Sequence, residues 1–99
     1  MPELLIPEAA RTLMSEVPSW ELKRDKIERV IGFDGFLQAI DFVNRLASLA
    51  EEQNHHPEID IRWNKVRLVL STHSVGGLTD RDFTLARKID ELVPASAGH

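Results

Sequence analysis

A run of about twenty residues, from Asp34 to Gln53, constrains this chain more than any other segment. Asp34 is a good N-cap, and Pro57 forbids continuation beyond the pair His55-His56, so the spacing predicts one long helix. At about 100° per residue, Phe36, Ile40, Val43, Ala47 and Ala50 form a core stripe. Phe42, Leu46 and Leu49 widen the apolar arc to roughly 240°, whereas a helix lying on one sheet face needs little more than about 100°. The excess calls for a second packing partner, read as another copy of the helix, with the N-terminal helix as the alternative cover.

The flanking segments alternate with a period of two. Trp20 to Leu22 and Ile27 to Phe33 read as strands joined by a turn over Lys23 to Asp25, and Ile59 to Trp63 and Val66 to Leu70 as strands joined at Asn64-Lys65, where Asn tolerates positive φ. A short helix is expected over Pro7 to Glu16, with Ala9, Ala10, Leu13 and Met14 on one face, and a last one after Thr79, running through Ala86, Ile89, Leu92 and Val93 to Pro94. Thr79 as N-cap with Asp82 three residues on resembles a capping box. The order α-β-β-α-β-β-α implies an α+β domain over residues 1–94, with 95–99 as a flexible tail. Ninety-nine residues, 42% of them hydrophobic, suit one domain, and so short a chain can gain stability by oligomerising.

The formal charge of -4 argues against a partner that is nucleic acid. No apolar run approaches the roughly 20 residues of a membrane span, and Met1-Pro2-Glu3 lacks the basic start of a signal peptide, so a soluble, cytoplasmic protein is expected. Zero cysteines exclude disulfides and thiolate metal sites. The candidate chemistry lies in histidines. His55 and His56 sit at the end of the long helix, and His73 follows the second hairpin, which returns it to their neighbourhood; His99 is terminal and expected to fray. Imidazole titrates near neutrality, so the set suggests proton transfer, metal binding or a pH switch. A metal site is disfavoured, because adjacent histidines diverge and no HxH or HxxxH pair exists. Glu51 can accept an i,i+4 hydrogen bond from His55, or be a solvated helix residue. Asp82 can cap its helix or orient His73. Pro57 holds His56 out of helical geometry, and Trp63 reads as a cross-strand packing residue or as a wall for a flat ligand. No nucleophile elbow or phosphate-binding loop is present, which leaves acid–base chemistry on a small molecule.

Glu51, His55-His56-Pro57, Trp63, His73 and Asp82 follow the spacing E-x3-H-H-P-x5-aromatic-x9-H-x8-D. With Asn64-Lys65-Val66, Leu70-Ser71-Thr72-His73 and Gly77 to Asp82, this resembles the signature of the pterin-4a-carbinolamine dehydratases, from about Trp20 to Ile89. The resemblance implies a four-stranded antiparallel sheet with three helices on one face, assembled as a dimer or tetramer partly through the long helix. It implies loss of water from a 4a-hydroxytetrahydropterin to give the quinonoid dihydropterin, recycling the cofactor of aromatic amino-acid hydroxylases. No metal or redox cofactor is then needed. By the same resemblance His55 and His73 are the acid–base pair, and His56 binds and orients the pterin. Glu51 and Asp82 tune the histidines, Pro57 shapes the turn, and Thr72 and Ser74 are pterin contacts. The rival on the same scaffold is a non-catalytic binding protein, since relatives serve as transcription-factor dimerisation cofactors or Rubisco assembly chaperones; its histidines should be eroded, and here they are complete.

Overall fold

A computed structural model describes residues 3–97; His99 and the end of the expected tail lie outside them. The elements run α1 (Pro7–Leu13), β1 (Glu21–Lys23), β2 (Lys26–Gly32), α2 (Phe36–Gln53), β3 (Glu58–Arg62), β4 (Lys65–Leu70) and α3 (Asp80–Leu92). Single 3₁₀ turns lie at Met14–Glu16 and His73–Val75. The fold is the expected α+β arrangement: one antiparallel sheet of order β1-β2-β4-β3, with the three helices on one face.

Register decides which strand residues meet the helices. Leu22 pairs with Ile27, Ile27 with Leu70, and Ile31 with Val66, so these side chains share the covered face with Leu68. Buried Ala39, Phe42, Leu46 and Ala50 of α2 and Phe83, Leu85, Ala86 and Ile89 of α3 close the core over them, each large side chain contributing about 1.5–3 kcal/mol by leaving water. From α1 only Ala10 is buried. Asp90 ties α3 to the sheet by accepting from Trp20 Nε1 at 2.8 Å and Arg29 Nη1 at 2.6 Å.

Three sequence expectations shift. The stripe that α2 buries is rotated by roughly 75°, at about 100° per residue, from the one counted on Phe36, Ile40, Val43, Ala47 and Ala50. Phe36, Leu37 and Ala47 stay exposed, so α1 does not cover them. Asp34 makes no cap; the first helical bond runs from Ala39 N–H to the carbonyl of Gly35, the N-cap residue. The β3–β4 turn is Trp63-Asn64, since Arg62 pairs with Lys65, and Trp63 carries the left-handed φ of 53°. Asn64 serves otherwise: its side-chain amide donates to Phe33 O and its carbonyl accepts from Phe33 N, fastening the hairpin to the start of α2.

Candidate active site

The helix that leads into the histidines stops two residues before them. Asn54 adopts a left-handed conformation (φ 50°, ψ 42°), His55 N–H bonds to Ala50 O, and Asn54 N–H bonds to Glu51 O. This is a Schellman-type ending, and Asn is one of few residues that takes the left-handed position cheaply. The reversal separates the two imidazoles, with Pro57 starting the extended approach to β3. It also ends the i,i+4 relation, so Glu51 does not reach His55. Glu51 Oε2 instead meets His56 Nε2 at 2.5 Å, in a pair more than half exposed on both sides.

His55 turns inward to Asp82. Its Nε2 lies 2.6 Å from Asp82 Oδ1, and the side chains are only 10% and 0% exposed. Asp82 therefore both caps α3 and orients a histidine, but the histidine is His55, not His73. Its other oxygen, Oδ2, accepts from Thr79 N–H at 3.0 Å and Thr72 Oγ1 at 2.8 Å. A hydroxyl has one proton to donate. Thr72 gives its own to Asp82, so at the 2.8 Å contact between the two threonines Thr79 is the donor, and Thr79 Oγ1 accepts from Arg81 N–H. The chain runs one way, from the α3 amide through two hydroxyls to the carboxylate, which completes it by accepting from His55. With its Nε2 proton held there, the ring keeps Nδ1 as its uncommitted nitrogen. Among the described residues no buried side-chain nitrogen or oxygen lacks a partner.

His73 arrives from β4 on the 3₁₀ turn that follows Thr72 and is exposed. His55, His56 and His73 line one open cavity of about 250 Å³ with Asn54, Ser71, Thr72, Ser74 and Arg81. Thr72 lines it while its hydroxyl is engaged with Thr79 and Asp82. Trp63 is not brought there. It stands 70% exposed at the far end of the hairpin, about 16 Å along β3 at roughly 3.3 Å per residue. Among the described residues no group of three or more His, Cys, Asp or Glu side chains converges as a metal site, and no helix is long and apolar enough to cross a membrane.

Arg81, Asn54 and Ser71 are cavity residues that sequence reasoning did not single out. Arg81 Nη2 donates to Asn54 O at 2.5 Å, joining α3 to the turn that presents His55. Its signal was available: a cation in the first turn of a helix opposes the macrodipole and needs another reason to be there.

Comparison with known proteins finds relatives along nearly the whole chain. The family model described as pterin 4 alpha carbinolamine dehydratase matches residues 3–92. The chain belongs to that family. A protein of Acidobacterium capsulatum, provisionally named as a pterin-4-alpha-carbinolamine dehydratase, is 51% identical over 90% of this chain and 97% of its own. A Chloroflexus aurantiacus protein named in the same way is 48% identical over 94% and 99%. Among solved structures, the transcriptional coactivator/pterin dehydratase of Brucella melitensis superposes with a TM-score of 0.86 at 29% identity, covering 91% of this chain and 98% of that one. A pterin dehydratase-like protein described as a RuBisCO assembly factor in the alpha-carboxysome matches at TM-score 0.61 and 24% identity over 74% and 84%, a likeness of fold alone.

Proposed function

We propose that this chain is a hydro-lyase that removes water from a 4a-hydroxytetrahydropterin, yielding the quinonoid dihydropterin for reuse by an aromatic amino-acid hydroxylase. The observation that carries the reading is the convergence of three imidazoles on one open cavity, one of them oriented by a buried, fully engaged carboxylate. The elimination needs a proton delivered to the departing 4a-hydroxyl and another withdrawn from a ring nitrogen. The two transfers balance, and water is the only other product. Imidazole suits both steps near neutral pH. His55 and His73 are assigned to the pair, His55 as the ring whose proton is fixed and His73 as the exposed one. His56, with Glu51 behind it, and Ser74 are assigned to holding the pterin; Thr72 lines the cavity and steadies Asp82. Within one chain Trp63 is at the wrong end of the sheet, so a ligand wall built from it would have to come from a second copy. The exposed apolar residues of α2, Phe36 and Leu37 among them, support a homodimer or homotetramer through that helix. The cytoplasm, where a hydroxylase would supply the substrate, is the proposed location.

The test couples the protein to a phenylalanine hydroxylase and follows formation of the quinonoid product. Wild type should exceed the uncatalysed rate, and His55→Ala and His73→Ala should each lower kcat by about 10²-fold or more. A wild-type rate equal to the uncatalysed one would sink the enzyme. It would promote a binding protein on this scaffold, a reading favoured by the double description of the Brucella melitensis structure.

A further inference from the structure

The loop from Thr72 to Gly77 carries His73 and Ser74 into the cavity, and its neck is narrow. Thr72 N–H donates to Gly77 O at 2.7 Å and Gly77 N–H returns to Thr72 O at 3.4 Å, an isolated antiparallel bridge. Thr72 is also the residue whose hydroxyl reaches Asp82 and, through it, His55. The position of the neck therefore bears on both proposed acid–base groups.

Behind the neck the chain is not packed solid. A hollow of about 500 Å³ lies there, with Leu5, Ala10, Leu22 and Asp25 in its wall. What crosses behind the neck is the segment Glu3–Ile6, which belongs to no helix or strand. Leu5 N–H donates to Leu78 O at 2.8 Å, and Leu4 rests on Gly77 so closely that a Cβ there would stand 2.6 Å from Leu4 Cδ1. The two adjacent glycines thus serve different ends. Gly76 has φ 68° and open space around its missing Cβ, so it is needed for its backbone. Gly77 needs no special φ and is buried; it is needed for the close approach of Leu4.

We propose that Glu3–Ile6 is a positioning strap, in which Leu4 on Gly77 and Leu5 on Leu78 set the neck of the His73 loop and hence the placement of His73 in the cavity. The inference rests on the dehydratase reading for its kinetic readout and on geometry alone for its spectroscopic one. Leu4 is half-exposed, and the atom in the way is the end of its side chain, so Gly77→Ala displaces the strap without disrupting the core.

The test uses Gly77→Ala, Leu4→Ala and the double variant, each checked for folding by circular dichroism. Gly77→Ala should lower kcat by about tenfold, with KM changed less than about twofold, as expected when a reacting group is displaced by a fraction of an ångström. Leu4→Ala should lower kcat by about threefold, and the double variant should match Leu4→Ala and not the product of the two losses, because the obstructing methyl is gone. In parallel, the imidazole Cε1–H resonance of His73 should move in Gly77→Ala and return towards its Leu4→Ala position in the double variant, while that of exposed His56 stays fixed. Losses that multiply, or a His73 resonance indifferent to all three changes, would overturn the strap. If Gly77→Ala fails to fold, Leu4→Ala alone decides, by the kcat loss and the His73 shift. If wild type fails to dehydrate the pterin, the dehydratase reading falls and the resonance still decides the strap.

Discussion

Two neighbouring histidines each meet a carboxylate at almost the same distance, His55 with Asp82 at 2.6 Å and His56 with Glu51 at 2.5 Å, yet the two pairs differ in what surrounds them. Asp82 is inaccessible to water and accepts three hydrogen bonds, whereas Glu51 and His56 sit in solvent. An exposed pair is screened and loses side-chain entropy on forming, so it contributes at most about 1 kcal/mol. A buried carboxylate that accepts at both oxygens is held in one orientation, and removing a donor costs a hydrogen bond that water is poorly placed to replace. Equal distances therefore do not mean equal roles: Asp82 fixes the proton of a buried ring, and Glu51 lends an exposed ring a partner.

The largest effect expected from breaking this contrast is in Asp82→Asn. An amide oxygen can replace Oδ2 towards Thr72 and Thr79, but the amide nitrogen then faces His55 Nε2 as a donor. The ring must give up its Nε2 proton and carry it on Nδ1. Folding stability should fall by only about 1–2 kcal/mol in urea titration, since every group is still paired. The dehydration rate should fall by about 10²-fold, because the nitrogen that was free is now protonated. Nitrogen-15 shifts of the His55 ring report the tautomer directly. Glu51→Gln is the matched control, with stability within about 0.5 kcal/mol and a rate within about twofold of wild type. Equal losses in the two variants would erase the distinction.

A smaller effect tests the chain behind Asp82. Thr72→Val keeps the shape and removes the hydroxyl that accepts from Thr79 and donates to Oδ2. The orphaned Thr79 proton should cost about 1–2 kcal/mol in urea titration. The rate should drop only a few-fold, because His55 keeps its acceptor. A rate loss as large as that of Asp82→Asn would mean that Thr72 acts on the ligand itself, not through Asp82.

The parts of this design that a sequence shows are those set by local periodicity. Alternation placed all four strands, and Thr79 with Asp82 marked the capping box that the structure contains. The pairing of carboxylates with histidines was not legible. The i,i+4 rule holds only inside a helix, and the left-handed residue Asn54 ends the helix before His55 is reached. The direction in which His55 then turns depends on where α3 begins, twenty-five residues later. The buried stripe of α2 is hidden from the sequence for a related reason. Apolar residues surround much of that helix, and only the packed sheet selects Ala39, Phe42, Leu46 and Ala50 among them. The hairpin turn lies one residue earlier than the sequence suggests, because Asn64 is used for its amide, towards Phe33, and positive φ falls on Trp63.

The smallest expected effect lies on the open face of the sheet, where a third carboxylate stands between the two extremes. Glu28 accepts from Arg67 Nη2 at 2.8 Å and has Lys23 Nζ at 3.5 Å. The hydrogen bond from Arg67, with the charges of Arg67 and Lys23, holds its carboxyl below the ordinary value of 4.5, against the opposing pull of desolvation. Since the folded chain holds this proton less tightly than the unfolded one, the stabilisation is complete above the ordinary value and fades as pH falls through the depressed one. Arg67 is nearly half exposed, so the contribution should stay below about 1 kcal/mol. Glu28→Gln should therefore lower the urea midpoint slightly at pH 7, and the two midpoints should draw together towards pH 3. A gap that persists at acid pH would assign the effect to packing at position 28, and a gap at pH 7 well above 1 kcal/mol would place Glu28 with Asp82, not with Glu51.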